Sequence, residues 1–402
     1  MTETGLAEPV DRTIESIVAA IHPRALFHEH VKLVGSRLYF GGDVVELVHF
    51  RSIWVIGAGK ASAAMAQALE GILGDRITGG VVIVNEGNEA PTRRVQVLTG
   101  THPFLSERNL EASQALIQCL RGSTADDLVI TVFSGGGSAL FEELDINVEL
   151  ADYLREMEQL YRTGIGIHAI NRWRKRDSLV KGGKLLGRFH PALWLNFLLS
   201  DVPGDELGTI ASGPTVPREG EASSEPVISY LLGGHESALR STSAVFRARG
   251  FSVEVAPFDL NLPVETATEK FAAWIREFGD RPAPRALVAS GELLIDVRGP
   301  GHGGRNQHLA LSVLRELRDL DGNFGFLALG TDGRDGPTDA AGGLITGRTA
   351  AMVRARRFDL TAALAKFDAY SALQEFGALV VTGPTGTNVG DLAVAWVLPA
   401  DG

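Results

Sequence analysis

Six apolar, strand-like runs in this chain end directly in turns built from glycine and hydroxyl residues. Ile56 runs into Gly57-Ala58-Gly59-Lys60, Phe133 into Ser134-Gly135-Gly136-Gly137-Ser138, and Leu199 into Ser200-Asp201-Val202-Pro203-Gly204-Asp205. Ala289 runs into Ser290-Gly291-Glu292, Leu329 into Gly330-Thr331-Asp332-Gly333, and Val381 into Thr382-Gly383-Pro384-Thr385-Gly386-Thr387-Asn388. Strands that stop so abruptly and alternate with helical patterns belong in mostly parallel sheets, whose turns gather at the carboxyl edge. Ligands bind at that edge, where the strand order reverses. Glycine lets the backbone turn sharply and aim N–H groups at an anion, and a following helix adds its positive end. Tight turns need glycine on their own account, yet six of them in one chain point to an anion-binding site. The 47 glycines among 402 residues exceed the usual share of roughly 7% and follow no three-residue period.

The rest of the pattern supports an α/β architecture. Apolar spacing predicts helix from Val10 to Leu26 and on to Val31, then an alanine-rich helix from Lys60 to Leu73 and another from Glu107 to Leu120. Strands are predicted at Ile53–Ile56, Gly80–Val84 and Leu128–Phe133. The polar run from Pro217 to Pro226, bracketed by prolines, reads as a linker or long surface loop. Beyond it, helices are predicted near Ser237–Arg249 and Val264–Glu277. Strands are predicted at Phe251–Ala256, Ala286–Ala289, Leu293–Val297, Phe324–Leu329 and Ala378–Val381. Two α/β domains with mostly parallel sheets flanked by helices are the economical interpretation.

Several function classes drop out. Lys plus Arg is 38 against 49 for Asp plus Glu, a net charge of −11, which argues against a protein built to grip nucleic acid or an anionic membrane. The lone Cys119 excludes an internal disulfide framework and a cysteine-based zinc site. No apolar run approaches the 18 or so residues of a membrane span. The polar, acidic start Met1-Thr2-Glu3-Thr4-Gly5 shows no signal-peptide pattern, so a soluble cytoplasmic protein is expected.

The chemistry-bearing residues are few. Gly57-Ala58-Gly59-Lys60-Ala61-Ser62 satisfies neither the dinucleotide fingerprint nor the P-loop pattern. What remains is a lysine at a helix start, unfavourable for the dipole unless an anion sits there. On a helix, Asn171, Arg174, Ser178 and Lys181 would share one face, offering donors for phosphate or carboxylate, or else a solvated basic surface. Asp201 and Asp205 flank a Pro-Gly turn, and Asp332, Asp335 and Asp339 occupy a second loop. Aspartates make ordinary turns, but on a ligand edge one or two could hold magnesium or act as base. The glycine loop before Arg305 could carry that guanidinium to a carboxylate or phosphate. Ser138 lacks the second glycine of a nucleophile elbow.

At these motifs the chain resembles the glycerate 2-kinase family, and its C-terminal part resembles the MOFRL domain. The matching segments include Val55–Ala61, Ser134–Leu140, Leu199–Asp205, Ile210–Val216, Gly303–Gln307, Gly330–Gly342 and Thr382–Val389, and they recur in family order from about residue 12 to 398. The resemblance implies a Rossmann-like kinase domain over residues 1–225, a MOFRL-like α/β domain over 226–402, and an active site in the interdomain cleft. It implies phosphoryl transfer from Mg-ATP to D-glycerate, with Mg2+ and ATP as the required co-substrate. Lys60 and Arg305 become the catalytic cations and Asp201 a base or metal partner. Gly57, Gly59, Ser134, Gly135, Gly136, Gly137, Ser138, Gly383, Thr385, Gly386 and Asn388 become nucleotide or phosphate contacts. Arg174, Ser178 and Lys181 become substrate contacts, and Asp205, Asp332 and Asp335 metal ligands. Small-molecule partners are implied, without nucleic acid or membrane, and a homodimer is left open.

Three loops depart from the family pattern: Ser290-Gly291-Glu292-Leu293-Leu294, Arg176-Asp177 before Ser178, and Gly233-Gly234-His235. They keep two alternatives open, a divergent sugar-acid kinase and a catalytically silent nucleotide-binding paralogue. A third alternative, a hydroxypyruvate reductase, is a label that the resembled family has carried, and the incomplete dinucleotide fingerprint from Gly57 to Ser62 argues against it.

Overall fold

The computed structural model of the protein describes residues 10–162, 167–217, 220, 225–279 and 283–399. Most of the expected linker, residues 218–219 and 221–224, lies outside the described residues. Packing divides the chain into two units. One holds His22–Gly234 together with Gly386–Asn388. The other holds His235–Thr385, the residues from Val389 onward, and the N-terminal helix Val10–Ile21. The division therefore falls after Gly234 rather than after residue 225, because the strand that ends at Gly233 pairs inside the first unit.

The first unit opens differently from the helical expectation. The helix Val10–Ile21 stops, and a second helix, Pro23–His30, starts with Pro23 in its first turn and the His22 ring accepting the Arg24 N–H at 3.2 Å. Proline has no N–H to continue the ladder, so one helix cannot run through. Residues 31–46 form an antiparallel meander of β1 (Val31–Val34), β2 (Arg37–Phe40) and β3 (Asp43–Glu46). Its period-two burial puts Val31, Leu38, Phe40 and Val45 inside, and the two-residue links Gly35-Ser36 and Gly41-Gly42 are hairpin turns.

The main sheet of this unit comprises β4 (Ile53–Ala58), β5 (Gly79–Asn85), β6 (Val95–Gly100), β7 (Leu128–Ser134), β8 (Leu193–Leu199) and β9 (Val227–Gly233). All pairings are parallel, in the order β6-β5-β4-β7-β8-β9. The central strands are apolar on both faces, as sheets covered by helices require, and their side chains pack with those of the helix Glu107–Leu120. The order reverses between β4 and β7. This is the arrangement of doubly wound sheets, whose ligands sit at the carboxyl ends beside the reversal.

The second unit is built on β10 (Ser252–Val255), β11 (Arg285–Gly291), β12 (Phe324–Gly330), β13 (Gly342–Thr346), β14 (Leu379–Val380) and β15 (Asp391–Val397). Their order is β10-β11-β15-β12-β13-β14, and only β10 and β11 pair in parallel. This sheet is mixed. Because β15 runs antiparallel between β11 and β12, Asp391 at its start lies opposite both Gly291 and Gly330. The glycine turns after β11 and β12 therefore still leave one common edge. The predicted strand Leu293–Val297 is absent; Leu294 makes only an isolated bridge to Pro263. The helices Val264–Phe278 and Arg305–Leu317 pack together over the core. No described helix is long and apolar enough to cross a membrane.

Candidate active site

In the first unit, the turns after β4 and β7 interlock. Gly59 has φ +139, and a Cβ there would lie 2.2 Å from Ser134 Oγ, so only glycine permits the turn. The Lys60 N–H donates to the Gly135 carbonyl at 2.9 Å, and the Ala61 N–H donates to Ser134 Oγ at 3.0 Å. The half-buried Lys60 side chain is thus held at the start of the helix Ser62–Leu73, at the reversal of strand order.

Gly135 lies against the acid. A Cβ on it would fall 1.9 Å from Asp201 Oδ2 and 2.2 Å from Asn388 Nδ2. Asn388 Nδ2 donates to Asp201 Oδ2 at 2.7 Å. Asp201, Asn388 and the triple-glycine turn therefore form one packed group. Gly136 is left-handed (φ +84); a Cβ there would lie 3.2 Å from the His102 ring and 3.3 Å from Lys60 Cγ. Ser138 Oγ is 2.9 Å from Ser212 Oγ. Ala211 and Ser212 have φ of +50 and +63, a conformation that costs a non-glycine residue about 1–3 kcal/mol and concentrates at functional sites.

Several predicted contacts turn out to be structural. Gly57 lies inside β4, opposite Val132 of β7, and Ser134 is buried with its hydroxyl holding Ala61. Ser178 is fully buried, and its Oγ accepts the Val180 and Lys181 N–H groups at 3.2 and 3.1 Å. Lys181 is fully buried in an ion pair with Glu142. Burial pushes its ammonium pKa down, opposed by Glu142. Such a buried charge needs its partner, so Ser178 and Lys181 shape the site from behind. Arg174 is different: it lines a narrow crevice with Ser138, Glu142 and Tyr153. The Asn171 side chain lies outside the described residues.

In the second unit, Arg305 begins the helix Arg305–Leu317. Its Nη1 donates to Glu292 Oε1 at 2.7 Å, and its Nε lies 2.6 Å from Asp391 Oδ2. Burial acts against the guanidinium charge, but Asp391 and Glu292 outweigh it and raise the pKa. Asn306 Nδ2 also donates to Asp391, at 2.9 Å. Asp335 is buried, and its oxygens accept the Asn306 and Gln307 N–H groups at 3.1 and 2.7 Å. It satisfies the first turn of that helix, a structural task that occupies both of its oxygens. Burial first, then the nearby Asp391, pushes its carboxyl up to about 7.

The remaining acids are each engaged locally. Among the described residues no group of three or more His, Cys, Asp or Glu side chains is placed to hold a metal ion. Asp205 (φ +53) packs against Gly234. Asp332 Oδ1 accepts the Arg334 N–H at 3.0 Å. Thr385 Oγ1 donates to the Thr331 carbonyl at 2.6 Å, and a Cβ on Gly333 would strike the Gly383 carbonyl at 1.9 Å. The loops after β12 and β14 are therefore stitched together.

The three unusual loops have structural tasks. Glu292 holds Arg305. The His235 ring covers Gly390 and lies 3.3 Å from Ser290 Oγ. Arg176 pairs with Glu156 at 3.2 Å and Asp177 at 2.6 Å on the surface. Sequence reasoning assigned no role to His102, Glu292 or Asp391. A turn-ending acid at Glu292, and an acid opening a strand at Asp391, were the signals available.

Comparison with known proteins adds the following. A family described as a domain of unknown function (DUF4147) matches residues 10–231, and the MOFRL family matches residues 285–391. The chain is 34% identical to the D-glycerate 2-kinase of Thermotoga maritima, covering 86% of this chain and 90% of that protein. It is 31% identical to the human glycerate kinase, covering 98% and 94%. The crystal structure of a glycerate kinase from Thermotoga maritima superposes with a TM-score of 0.81 at 31% identity, over 97% of this chain and 98% of that one.

Proposed function

Since the chain belongs to the glycerate 2-kinase family, we propose that it transfers the γ-phosphoryl group of ATP to a hydroxyl of D-glycerate, giving 2-phosphoglycerate. The observation that carries this reading is Lys60, held on the triple-glycine turn at the strand-order reversal beside Asp201. Phosphoryl transfer asks a protein mainly for positioning and for positive charge on the transferring oxygens. Lys60 supplies that charge, and Gly135, Gly136 and Gly137 let Asp201, His102 and Ala211 pack close against the turn that carries it. Asp201, oriented by Asn388, takes the hydroxyl proton as the new O–P bond forms; the bond from the γ-phosphorus to the bridging oxygen breaks and ADP leaves. Arg305 is the second cation, and it engages a substrate oxyanion by exchanging the more exposed of its two carboxylate partners, Glu292. Arg174, beside Ser138, is the substrate contact retained from the basic segment. Asp205 and Asp332 are the candidates that would hold a nucleotide-bound magnesium ion, which would neutralise charge on the phosphates and needs only one or two protein carboxylates.

The test is ADP release from Mg-ATP with D-glycerate, L-glycerate and a panel of sugar acids, with the product identified by phosphorus NMR. Turnover with D-glycerate to 2-phosphoglycerate is expected. NADH oxidation with hydroxypyruvate and no ADP release would overturn the proposal in favour of a reductase. ATP binding without turnover on any acid would overturn it in favour of a silent nucleotide-binding protein.

A further inference from the structure

Beyond β6, which ends at Gly100, the chain continues as Thr101-His102-Pro103, a stretch that no sequence motif above assigned to the site. One buried residue fixes its position. Asn109, fully buried in the helix Glu107–Leu120, accepts the Thr101 N–H at 2.9 Å through Oδ1. Its Nδ2 donates to the Thr101 carbonyl at 2.9 Å and to the Ala139 carbonyl at 2.8 Å. Asn109 thus clamps the segment after β6 onto the short helix Gly137–Leu140 that follows the triple glycine. The clamp brings the Nε2–Cδ2 edge of His102 to Gly136, on the same side as the Lys60 stem. The His102 residue is exposed. An exposed imidazole carried by a buried hydrogen-bonded clamp, beside a lysine and over a left-handed glycine, is placed to meet whatever Lys60 binds.

We propose that His102 is a substrate-contacting residue that donates a ring N–H to an anionic oxygen bound at Lys60. This rests on the kinase reading above. The oxygen belongs either to the carboxylate of the acid or to a phosphate of the nucleotide; both offer the same acceptor chemistry. A donor to a charged acceptor, when removed, costs about ten- to a hundredfold.

The experiment is steady-state kinetics of the full chain with Mg-ATP and D-glycerate for wild type, H102F and H102Q, with thermal melting of each. Wild-type turnover comes first, since its absence would sink the kinase reading and not this inference alone. Given turnover, H102F, which keeps a ring but no donor, is expected to lose about ten- to a hundredfold in kcat/KM at an unchanged melting temperature. H102Q, which restores an N–H, is expected to recover much of that loss. A rise in KM for glycerate alone assigns the oxygen to the acid, and a rise for ATP alone assigns it to a phosphate. Wild-type kinetics in H102F, or equal losses in both variants that track a lowered melting temperature, would overturn the inference.

Discussion

Lys60 and Asp335 show how differently a single charge can be used. Lys60 is half-buried at a ligand edge, so Lys60→Ala is expected to lower kcat for glycerate phosphorylation by about a hundredfold or more, the scale for losing one transition-state contact. Its melting temperature should stay near wild type, as for most surface substitutions. Activity within a fewfold of wild type would remove Lys60 from the chemistry. Asp335 bears on stability instead. Its carboxyl is raised to about 7 from 3.8 by burial and by Asp391, while the Gln307 and Asn306 N–H groups, and then Arg305, oppose. A raised carboxyl pKa means the native state holds a proton that the unfolded chain has released, so this group's contribution is lost as pH rises from 3.8 through about 7. Asp335→Asn keeps a side-chain oxygen for the Gln307 N–H and carries no proton to lose. The fall in melting temperature over that interval should flatten in the variant; an unchanged slope would reject the assignment. The places of Lys60 and Asp201 just past strand ends were legible in the sequence, because glycine turns mark where strands stop. What holds Lys181 and Asp335 was not, because a basic or acidic letter does not reveal that Glu142 or a helix N-terminus already engages the charge. His102 was invisible because its place depends on Asn109 and on the register of β6 at the sheet edge.

At the scale of elements, the close contact between β4 and β7 constrains the site. Gly57 pairs with Val132, and a Cβ on Gly57 would lie 2.0 Å from the Val132 carbonyl and 2.7 Å from its Cγ2. Gly57→Ala must push the two central strands apart, and overpacking of this kind costs about 3 kcal/mol. A matching drop in the urea midpoint is expected; a stability equal to wild type would show that the strands part freely. The alternation of apolar runs with helical periods made β4, β5 and β7 readable from the sequence, and the turn after Leu199 marked the end of β8; β6 and β9 were not predicted. The mixed second sheet was not readable, because β15 is a run of small and apolar residues, Leu392-Ala393-Val394-Ala395-Trp396-Val397, whose direction only its neighbours decide. The meander of β1 to β3 follows directly on the predicted helix and was not predicted, although Gly35-Ser36 and Gly41-Gly42 mark hairpin turns. Each strand is only four residues long, too short to outweigh the helical pattern just before it.

At the scale of the whole molecule, the chain does not divide where its sequence does. Ile14, Ile17 and Ile21 make a buried stripe on the helix Val10–Ile21, which packs on the helix His235–Ala248, and Arg249 Nη2 donates to Ser16 Oγ at 3.2 Å. Burying an isoleucine stabilises by about 1.5–3 kcal/mol. Deleting residues 1–21 should therefore raise amide exchange in His235–Ala248 and β11, while β4, β7 and β8 keep their protection. Equal loss in both regions would contradict the division. The same threading sets a schedule for biosynthesis. The first helix leaves the ribosome more than two hundred residues ahead of its partner. At roughly 5–20 residues per second it waits roughly 10–45 s with its isoleucine stripe uncovered, a span in which a nascent-chain chaperone could bind it. Asp201 waits in turn for Asn388, 187 residues downstream. A ribosome stalled anywhere before that asparagine carries a finished parallel sheet and an unfinished catalyst.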